Sequence, residues 1–475
     1  MEPLDQMGMF WLAGFPDDAL SGRLIFNPGG SEGGIRLSLV GTFNALPVHE
    51  VARDLRIVGW VGTKQVTLDD AFTAGSTFGS GVATSNFHAN RLLVGHQFAA
   101  GEALAFQSAT FRVSGLRSWV NDRSTSEEWA NDRKQGEPIY TITFTPPEVE
   151  TAHFSRGTVE MILQWQRTTD DQQSLVWRTE PAITITYDDL QPFEVIRKDV
   201  GRVQSLISLC LDKSTMLDGL IFTRPDVRAI SLAGTDMGVD QPIELRVPLI
   251  RYDEPSRRRE QHEFRMLLPY SGFGGVNAVA RWLDGSRPFQ RALDSLMSVR
   301  FARQIYAENR YLNVTFASEA FHRICSDSQY MPEEEFLEVI NGCMSGVPDK
   351  HREWMHDKIA YSNEPPLRKR MRQLASTTKP CTRLLIGDVD AWAFVVAGVR
   401  NELTHLGRKS RQFSGSDLRR LANSVFLVTG IAMLLETGVP AATLAARAEC
   451  DALTHGAQEL QDTVRVVRRA LLSAP

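Results

Sequence analysis

Short runs in which apolar and polar residues alternate follow one another through residues 10–192 of this 475-residue chain. A period of two, broken by glycine, proline and asparagine or aspartate turns, is typical of half-buried antiparallel strands. The runs are Gly22–Phe26, Gly34–Thr42, Arg56–Thr63, Lys64–Leu68, Arg91–Val94, Ala105–Val113, Ile139–Phe144, Thr158–Gln166 and Ala182–Tyr187. Strands of this spacing predict an antiparallel sandwich or a barrel-like sheet.

The period changes at Asp189–Leu211, where apolar residues recur every three or four positions and predict a helix. Strand-like runs then return at Gly219–Thr223, Val227–Ser231, Glu244–Tyr252 and Glu263–Leu268. From Gly275 onward the alternation stops and helical spacing prevails. We therefore expect a β-rich region over residues 1–274, with a helix near 190–211 inside it, and an all-α region over residues 275–475.

The all-α region divides into roughly six or seven helices. They are predicted at Val276–Leu283, Pro288–Cys325, Pro332 to near Gly342, His351–Ala360, Val389–Leu406, Leu418–Glu436 and Ala441–Leu472. The expected fold class is α+β and multidomain, with an N-terminal antiparallel β-rich domain followed by a C-terminal helical bundle.

One of these helices, Val389–Leu406, separates an apolar stripe from a polar face. The stripe consists of Trp392, Val395, Val396, Val399, Leu403 and Leu406. The polar face carries Arg400, Asn401 and His405. Around a straight helix, Arg400 and His405 lie about 140° apart.

An arginine followed by a histidine five positions later occurs three times in the chain. The segment Arg91–His96 resembles a strand and turn, and Arg257–His262 is a charged loop. Only Arg400 and His405 lie on an amphipathic helix within an all-helical region, which distinguishes this match from the other two. The alternative for both residues is an ordinary solvated helix face.

The net charge of -5 is unevenly divided along the chain. Residues 286–475 carry 25 Lys and Arg against 21 Asp and Glu, a net charge of +4, which leaves -9 for residues 1–285. A basic C-terminal region suits a domain that handles RNA.

Cysteine usage and hydropathy exclude several other classes of protein. Five scattered cysteines without a C-x-x-C pair predict neither a disulfide framework nor a zinc site. The N-terminus lacks a basic and then apolar signal, and the longest apolar run, Val425–Leu435, is about half a membrane span. We expect a cytoplasmic protein with no membrane partner and no metal.

Several segments together resemble the ApeA-type proteins, which pair an N-terminal β-rich domain with an ApeA-like HEPN domain and are associated with abortive-infection defence against phage. Near the N-terminus, the resemblance is carried by Phe10-Trp11-Leu12, Gly14-Phe15-Pro16, Gly22-Arg23-Leu24 and Leu37–Gly41. Ser318–Arg323 resembles the first long HEPN helix, and Tyr361–Arg368 resembles the central Asn-Glu-Pro block. Arg400-Asn401 and His405 then fall on the R-x4-H signature of HEPN ribonucleases.

The resemblance implies a metal-independent endoribonuclease that needs no cofactor. His405 would take a proton from a ribose 2′-OH or supply one to the leaving oxygen. Arg400 would hold the scissile phosphate, and the products would be a 2′,3′-cyclic phosphate and a 5′-OH. Asn401 would orient the imidazole or contact phosphate, unless it is an ordinary polar surface residue.

The family also implies a homodimer through the Val389–Leu406 helix, with one composite site built from two copies. The small residues Ala393, Ala397 and Gly398 on or beside the polar face would fit a close contact between the two helices. Arg408, Lys409 and Arg411, just past the signature, are the candidates for holding the RNA backbone.

The β-rich region is expected to sense a phage protein and to restrain a nuclease that cuts tRNA or another host RNA. One alternative is a non-catalytic HEPN module that only dimerises or binds nucleotide, joined to a β-rich ligand-binding domain. Another is a hydrolase in the β-rich region, where Asp69, Asp70 and Glu160 supply carboxylates without the spacing of a catalytic pair.

Overall fold

The computed structural model describes residues 2–28, 34–46, 52–77, 83–121, 124–131, 138–170, 174–231, 234–248, 261–302, 304–326, 329–360, 362–405 and 413–473. The chain divides into two compact units, residues 1–204 with 215–260 and residues 205–214 with 261–475. The alternation of the sequence placed residues 261–274 in the β-rich region instead. They belong to the second unit, where Arg447 donates hydrogen bonds to the carbonyl oxygens of Leu267 and Met266.

The first unit is rich in β-strands. Those described are β1 (Leu4–Leu12), β2 (Leu20–Asn27), β3 (Gly34–Val40), β4 (Leu55–Val61), β5 (Lys64–Thr77), β6 (Thr84–Val94), β7 (Ala105–Val113), β8 (Thr125–Asn131), β9 (Pro138–Phe144), β10 (Glu150–Phe154), β11 (Gly157–Asp170), β12 (Ser174–Pro192), β13 (Leu217–Thr223), β14 (Arg228–Ile230), β15 (Asp236–Asp240) and β16 (Ile243–Arg246). The short helix α1 (Leu116–Val120) and the longer α2 (Phe193–Leu211) interrupt this series.

Six of the strands close into a barrel in the order β6-β3-β2-β1-β4-β5, and β5 pairs again with β6. The period of two in the sequence places one set of side chains inside, because successive residues of a strand point to opposite faces. In β2, Leu24 and Phe26 are fully buried, whereas Arg23 faces outward and binds Asp5 of β1 at 2.7 Å. Strands β1 and β4 lie so close at Gly59 that a Cβ there would be 2.3 Å from the Met9 carbonyl oxygen.

Strand β6 carries the sheet out of the barrel. Its residues 84–89 pair with β3 and its residues 92–94 pair with β16, while β5 pairs along its other side. Beyond β16 the sheet continues through β13, β7, β12 and β11 to β10. The predicted antiparallel β-rich domain is confirmed, and its central element is a closed barrel.

Two details of the predicted elements near the end of the β-rich region were wrong. Helix α2 begins at Phe193 and not at Asp189, because β12 continues through Pro192, which pairs with Ala105 of β7. The run Glu263–Leu268, predicted as a strand, contains a 3₁₀ turn at Glu263–Arg265 followed by buried apolar residues. Its apolar pattern therefore reflects a buried connection.

The second unit is helical, as predicted. Its described helices are α3 (Tyr270–Phe273), α4 (Gly275–Gly285), α5 (Gln290–Phe301), α6 (Ala307–Cys325), α7 (Glu333–Ser345), α8 (Arg352–Ile359), α9 (Leu367–Ile386), α10 (Val389–Thr404), α11 (Gly415–Glu436), α12 (Ala441–Ala445), α13 (Asp451–Thr454) and α14 (Ala457–Leu472).

Two helices predicted as continuous are broken. Pro288–Cys325 contains α5 and α6, because Ala302 and Tyr306 adopt extended conformations between them. Ala441–Leu472 contains α12, α13 and α14, and Gly456 precedes α14 with a φ of 75°. A positive φ suits glycine and ends the helical path.

Helix α11 forms the centre of the helical unit. Among the described residues it is the one helix whose length and mean hydropathy would allow it to cross a membrane, yet 78% of its most apolar window is buried inside the protein. Its polar side chains are also satisfied internally, since Thr429 bonds Ser318 at 2.6 Å and Ser424 accepts from the Trp392 indole at 2.9 Å. This is the environment of a helix in the core of a folded unit.

Candidate functional site

Helix α10 presents the candidate catalytic residues at its C-terminal end. Asp388 caps its N-terminus by accepting a hydrogen bond from the Ala391 amide at 3.0 Å. Of the predicted apolar stripe, Trp392, Val395, Val396 and Val399 are fully buried, Leu403 is half-buried, and Leu406 lies outside the described residues. These contacts fix the rotation of the helix, so the residues of its polar face have defined positions.

Removing the cap should weaken α10 without touching its polar end. We expect Asp388→Ala to lower the free energy of unfolding by about 1 kcal/mol, because the Ala391 amide loses its acceptor. Asp388→Asn keeps an acceptor oxygen at the same place and should lose much less. Urea unfolding of the wild type and both variants measures this, and equal losses from alanine and asparagine would contradict a capping role.

Arg400 and Asn401 lie on the last turn of α10, and His405 lies immediately after it. Arg400 is partly exposed, and its Nη1 is 3.5 Å from the Asn401 side-chain oxygen. The exposed His405 has a φ of -112° and a ψ of 58°, while its backbone N–H still donates to the Asn401 carbonyl at 3.0 Å. Because His405 has left the helical path, the angle calculated for a straight helix does not fix where its imidazole lies.

The small residues of α10 are packed within the chain. Ala393 and Ala397 are buried, and a Cβ added to Gly398 would lie 2.6 Å from a terminal carbon of Leu471 on α14. The sequence had led us to expect that these residues contact a second copy of the chain. Gly398 is thus covered by the last helix of the same chain, and Ala393 and Ala397 are enclosed within it, so the three residues do not support the homodimer, which stays a prediction.

Arg400 belongs to a chain of ion pairs that the sequence analysis did not predict. Its Nη2 is 3.9 Å from Glu319 Oε2 on α6, and Glu319 Oε1 is 3.5 Å from Arg323 Nη2. Arg323 Nη2 also donates to Glu364 at 2.8 Å, and Glu364 accepts from Arg370 Nη2 at 2.6 Å. The first long helix, the Asn-Glu-Pro block and the R-x4-H helix therefore meet in one network.

The far end of this network is buried and hydrogen-bonded. Arg370 is 3% exposed, and its Nε donates to the Pro365 carbonyl at 2.9 Å. Its Nη1 is 3.4 Å from Nδ1 of His322, whose Nε2 is 2.9 Å from Gln373 Oε1. Burial lowers the pKa of His322, so the ring is neutral, and because arginine can only donate, Nδ1 accepts and Nε2–H donates to Gln373. His322 is thus a structural histidine of the bundle.

The Asn-Glu-Pro block ties the start of α9 to the chain before α7. Asn363 accepts hydrogen bonds from the Met331 amide at 3.1 Å through its side chain and from the Tyr330 amide at 2.8 Å through its carbonyl.

The one sequence signal for the whole ion-pair network was the four-residue spacing of Glu319 and Arg323, which is typical of a helical ion pair.

The three residues predicted to hold the RNA backbone follow the end of α10 in the sequence. Arg408, Lys409 and Arg411 lie outside the described residues.

In the β-rich unit, Asp69 is 6% exposed and is held by Arg56 and Arg91, each at 2.8 Å. A buried carboxylate shared by two arginines is structural, so the hydrolase alternative loses one of its three candidate carboxylates. Across the described parts of the chain, no three His, Cys, Asp or Glu residues gather as a metal site.

Two family models match the chain. Residues 6–282 match ApeA N-terminal domain 1, and residues 312–443 match Apea-like HEPN. The second match includes Glu319, Arg323, Glu364, Arg400 and His405. No curated protein and no solved structure matches the chain.

Proposed function

Because the chain belongs to the ApeA N-terminal domain 1 family and carries an Apea-like HEPN domain, we propose that it is an anti-phage abortive-infection protein whose C-terminal region is a metal-independent endoribonuclease. The observation that carries the proposal is the exposed end of α10, where Arg400, Asn401 and His405 lie within the HEPN match. An arginine and a histidine at a solvent-facing helix end can hold a phosphate and move a proton.

The chemistry requires one proton to be removed and one to be supplied. His405 takes the proton of the 2′-OH, the 2′-oxygen attacks the adjacent phosphorus, and the bond to the 5′-oxygen breaks. The products are a 2′,3′-cyclic phosphate and a 5′-OH that has gained a proton. Arg400 stabilises the negative charge that grows on the phosphoryl oxygens, and Asn401, whose side chain reaches the Arg400 guanidinium, orients that group.

A second copy of the chain would complete this site. One chain offers a single histidine at the signature, whereas proton removal and proton supply are fastest with two separate groups. A two-fold dimer that brings the ends of two α10 helices together supplies two histidines and two arginines. The face involved would be the exposed end of α10, since Gly398 already packs on α14 and Ala393 and Ala397 are buried within the chain.

The β-rich region would sense the phage, and the RNA that is cut would be a host RNA such as tRNA in the cytoplasm. The acidic balance of residues 1–285 makes RNA a poor ligand for this region. An open groove of about 780 Å³ in the first unit offers one place for a trigger, because it combines the apolar Trp60 and Ile221 with the charged Lys64, Arg228 and Glu244. The same groove would serve the alternative function, a ligand-binding domain on a non-catalytic HEPN dimer.

The deciding experiment incubates purified wild-type protein and the His405→Ala variant with total tRNA in EDTA, followed by a denaturing gel. Cleavage by the wild type alone, with 2′,3′-cyclic phosphate ends, is the expected result. Cleavage that stops in EDTA would refute the metal-independent mechanism. Absence of cleavage by both proteins, also after co-expression with phage proteins, would favour the binding module.

A further inference from the structure

We propose that Arg323 is a second RNA-backbone-binding residue of the site, held beside Arg400 by Glu319, which both arginines share. The proposal rests on the proposed function, because it concerns the RNA that Arg400 would hold. It adds to the R-x4-H residues a cation from α6, 77 positions earlier in the chain than Arg400.

The geometry places the two guanidinium groups on either side of one carboxylate. Glu319 Oε1 is 3.5 Å from Arg323 Nη2, and Glu319 Oε2 is 3.9 Å from Arg400 Nη2. The side chains of Arg323 and Arg400 are 55% and 36% exposed, whereas that of Glu319 is 23% exposed. The two cations therefore have free donors toward solvent, and the carboxylate between them is the more enclosed group.

Arg323 is also fixed from the buried side. It donates to Glu364 at 2.8 Å, and Glu364 is anchored by Arg370, which is 3% exposed and bonded to the Pro365 carbonyl. The guanidinium of Arg323 is thus held through Glu364 by a buried arginine, and this prior positioning lowers the entropy that Arg323 loses when it binds a ligand.

The balance of charge favours an anion at this place. The three arginines and the two glutamates of the network sum to a net charge of +1, and the third arginine, Arg370, lies buried beneath the exposed pairs. Exposed ion pairs of this kind are weak, so a phosphate can take the outer donors of Arg323 and Arg400. A guanidinium binds phosphate through two parallel N–H donors, and two such groups side by side fit the scissile phosphate and a neighbouring one.

The test is the salt dependence of binding to a fluorescent single-stranded DNA oligonucleotide, which has no 2′-OH and cannot be cleaved. The full-length wild type is compared with Arg323→Ala, Arg323→Lys and Arg352→Ala. Arg352 is the matched control, since it is 54% exposed, lies in the same unit and also pairs with a carboxylate. Thermal unfolding confirms that each variant is folded.

We expect Arg323→Ala to bind several-fold more weakly and to lower the slope of log K against log salt by about 0.7, the loss of one phosphate contact on a single strand. Arg323→Lys should keep the slope and lose part of the affinity, and Arg352→Ala should change neither. If Arg323→Ala behaves like Arg352→Ala, or if the wild type does not bind the oligonucleotide, the proposal is wrong.

Glu319→Gln tests whether Glu319 positions the two arginines, because loss of its charge and loss of its positioning would change phosphate binding in opposite directions. Removing a negative charge next to two cations would by itself strengthen phosphate binding. If Glu319 instead holds both arginines in place, the variant binds more weakly despite its added positive charge, which is the result we expect. Tighter binding would show that the carboxylate only competes with phosphate.

The two proposals fail in different ways. A normal slope for Arg323→Ala together with RNA cleavage by the wild type would refute the role of Arg323 and leave the ribonuclease intact. A reduced slope for Arg323→Ala, with no RNA cleavage by the wild type under any condition, would support the backbone-binding site and refute the enzyme.

Discussion

The His405→Ala protein should cleave RNA about 10²- to 10⁴-fold more slowly than the wild type, the range over which positioned acid–base groups act. The side chain is exposed beyond the end of α10, so its loss removes the proton-transfer group and little packing. Arg400 and Arg323 remain in this variant, so its RNA binding should persist. Single-turnover cleavage of a labelled tRNA, with binding measured separately, distinguishes the two effects.

The chain offers a close control for this experiment. His455 is also exposed, follows the end of a helix, α13, and donates its backbone N–H to the carbonyl four residues earlier, that of Asp451 at 2.9 Å. His455→Ala should cleave at the wild-type rate. Equal activity of His405→Ala and His455→Ala would exclude His405 from the chemistry, and equal inactivity of both would indicate a loss of folding.

Two inactive variants should restore activity to each other if the site is composite. Arg400→Ala is expected to lose about 10²- to 10³-fold in rate, because a charge-stabilising group is missing in both copies. A mixed dimer of Arg400→Ala with His405→Ala keeps one arginine and one histidine at the shared site. Cleavage should then rise well above that of either variant alone and stay below the wild-type rate, because a single histidine serves both proton transfers.

The experiment needs dimers of known composition. The two variants carry different affinity tags, are expressed together, and are purified over both tags, so that each dimer contains one copy of each. A dimer with both substitutions in the same copy and a wild-type partner is the matched control. Inactive mixed dimers, alongside an active control, would show that one chain supplies the complete site.

The hydrophobic pattern of the sequence predicted most strands and helices, but it did not predict which strands pair to close the barrel. Alternation identified Ala105–Val113 as a strand with the bounds that the structure gives, because a period of two is a local property. The closure of the barrel depends on the pairing of β5 with both β4 and β6, for instance Val66 with Gly59 and with Val94. Such pairing is set by partners on two other strands, which the pattern of one run does not specify.

In the candidate site, too, the sequence predicted the local element but not the contacts between elements. The helix that bears Arg400 and His405 was predicted from its own periodicity and from the R-x4-H resemblance. Glu319 and Glu364 lie far from Arg400 in sequence, and their contacts exist because α6 and α9 pack beside α10. The cover on Gly398 is similarly a contact with α14. Each of these is a property of the folded bundle, so a single sequence could not indicate it.

If the N-terminal region recognises a phage protein, as proposed above, the closed barrel restricts how that protein can bind. A sheet with an open margin exposes unpaired backbone N–H and C=O groups, which another chain can extend by adding a strand. Each described strand of the barrel has a partner on both sides, so unpaired backbone is confined there to strand ends such as residues 4–7 of β1, which pair with β2 and not with β4. Among the described strands of the large sheet, β10 has a partner on one side only along its whole length. A polypeptide that adds a full strand would therefore dock at β10, away from the barrel, while one that docks on the barrel would be recognised by its side chains.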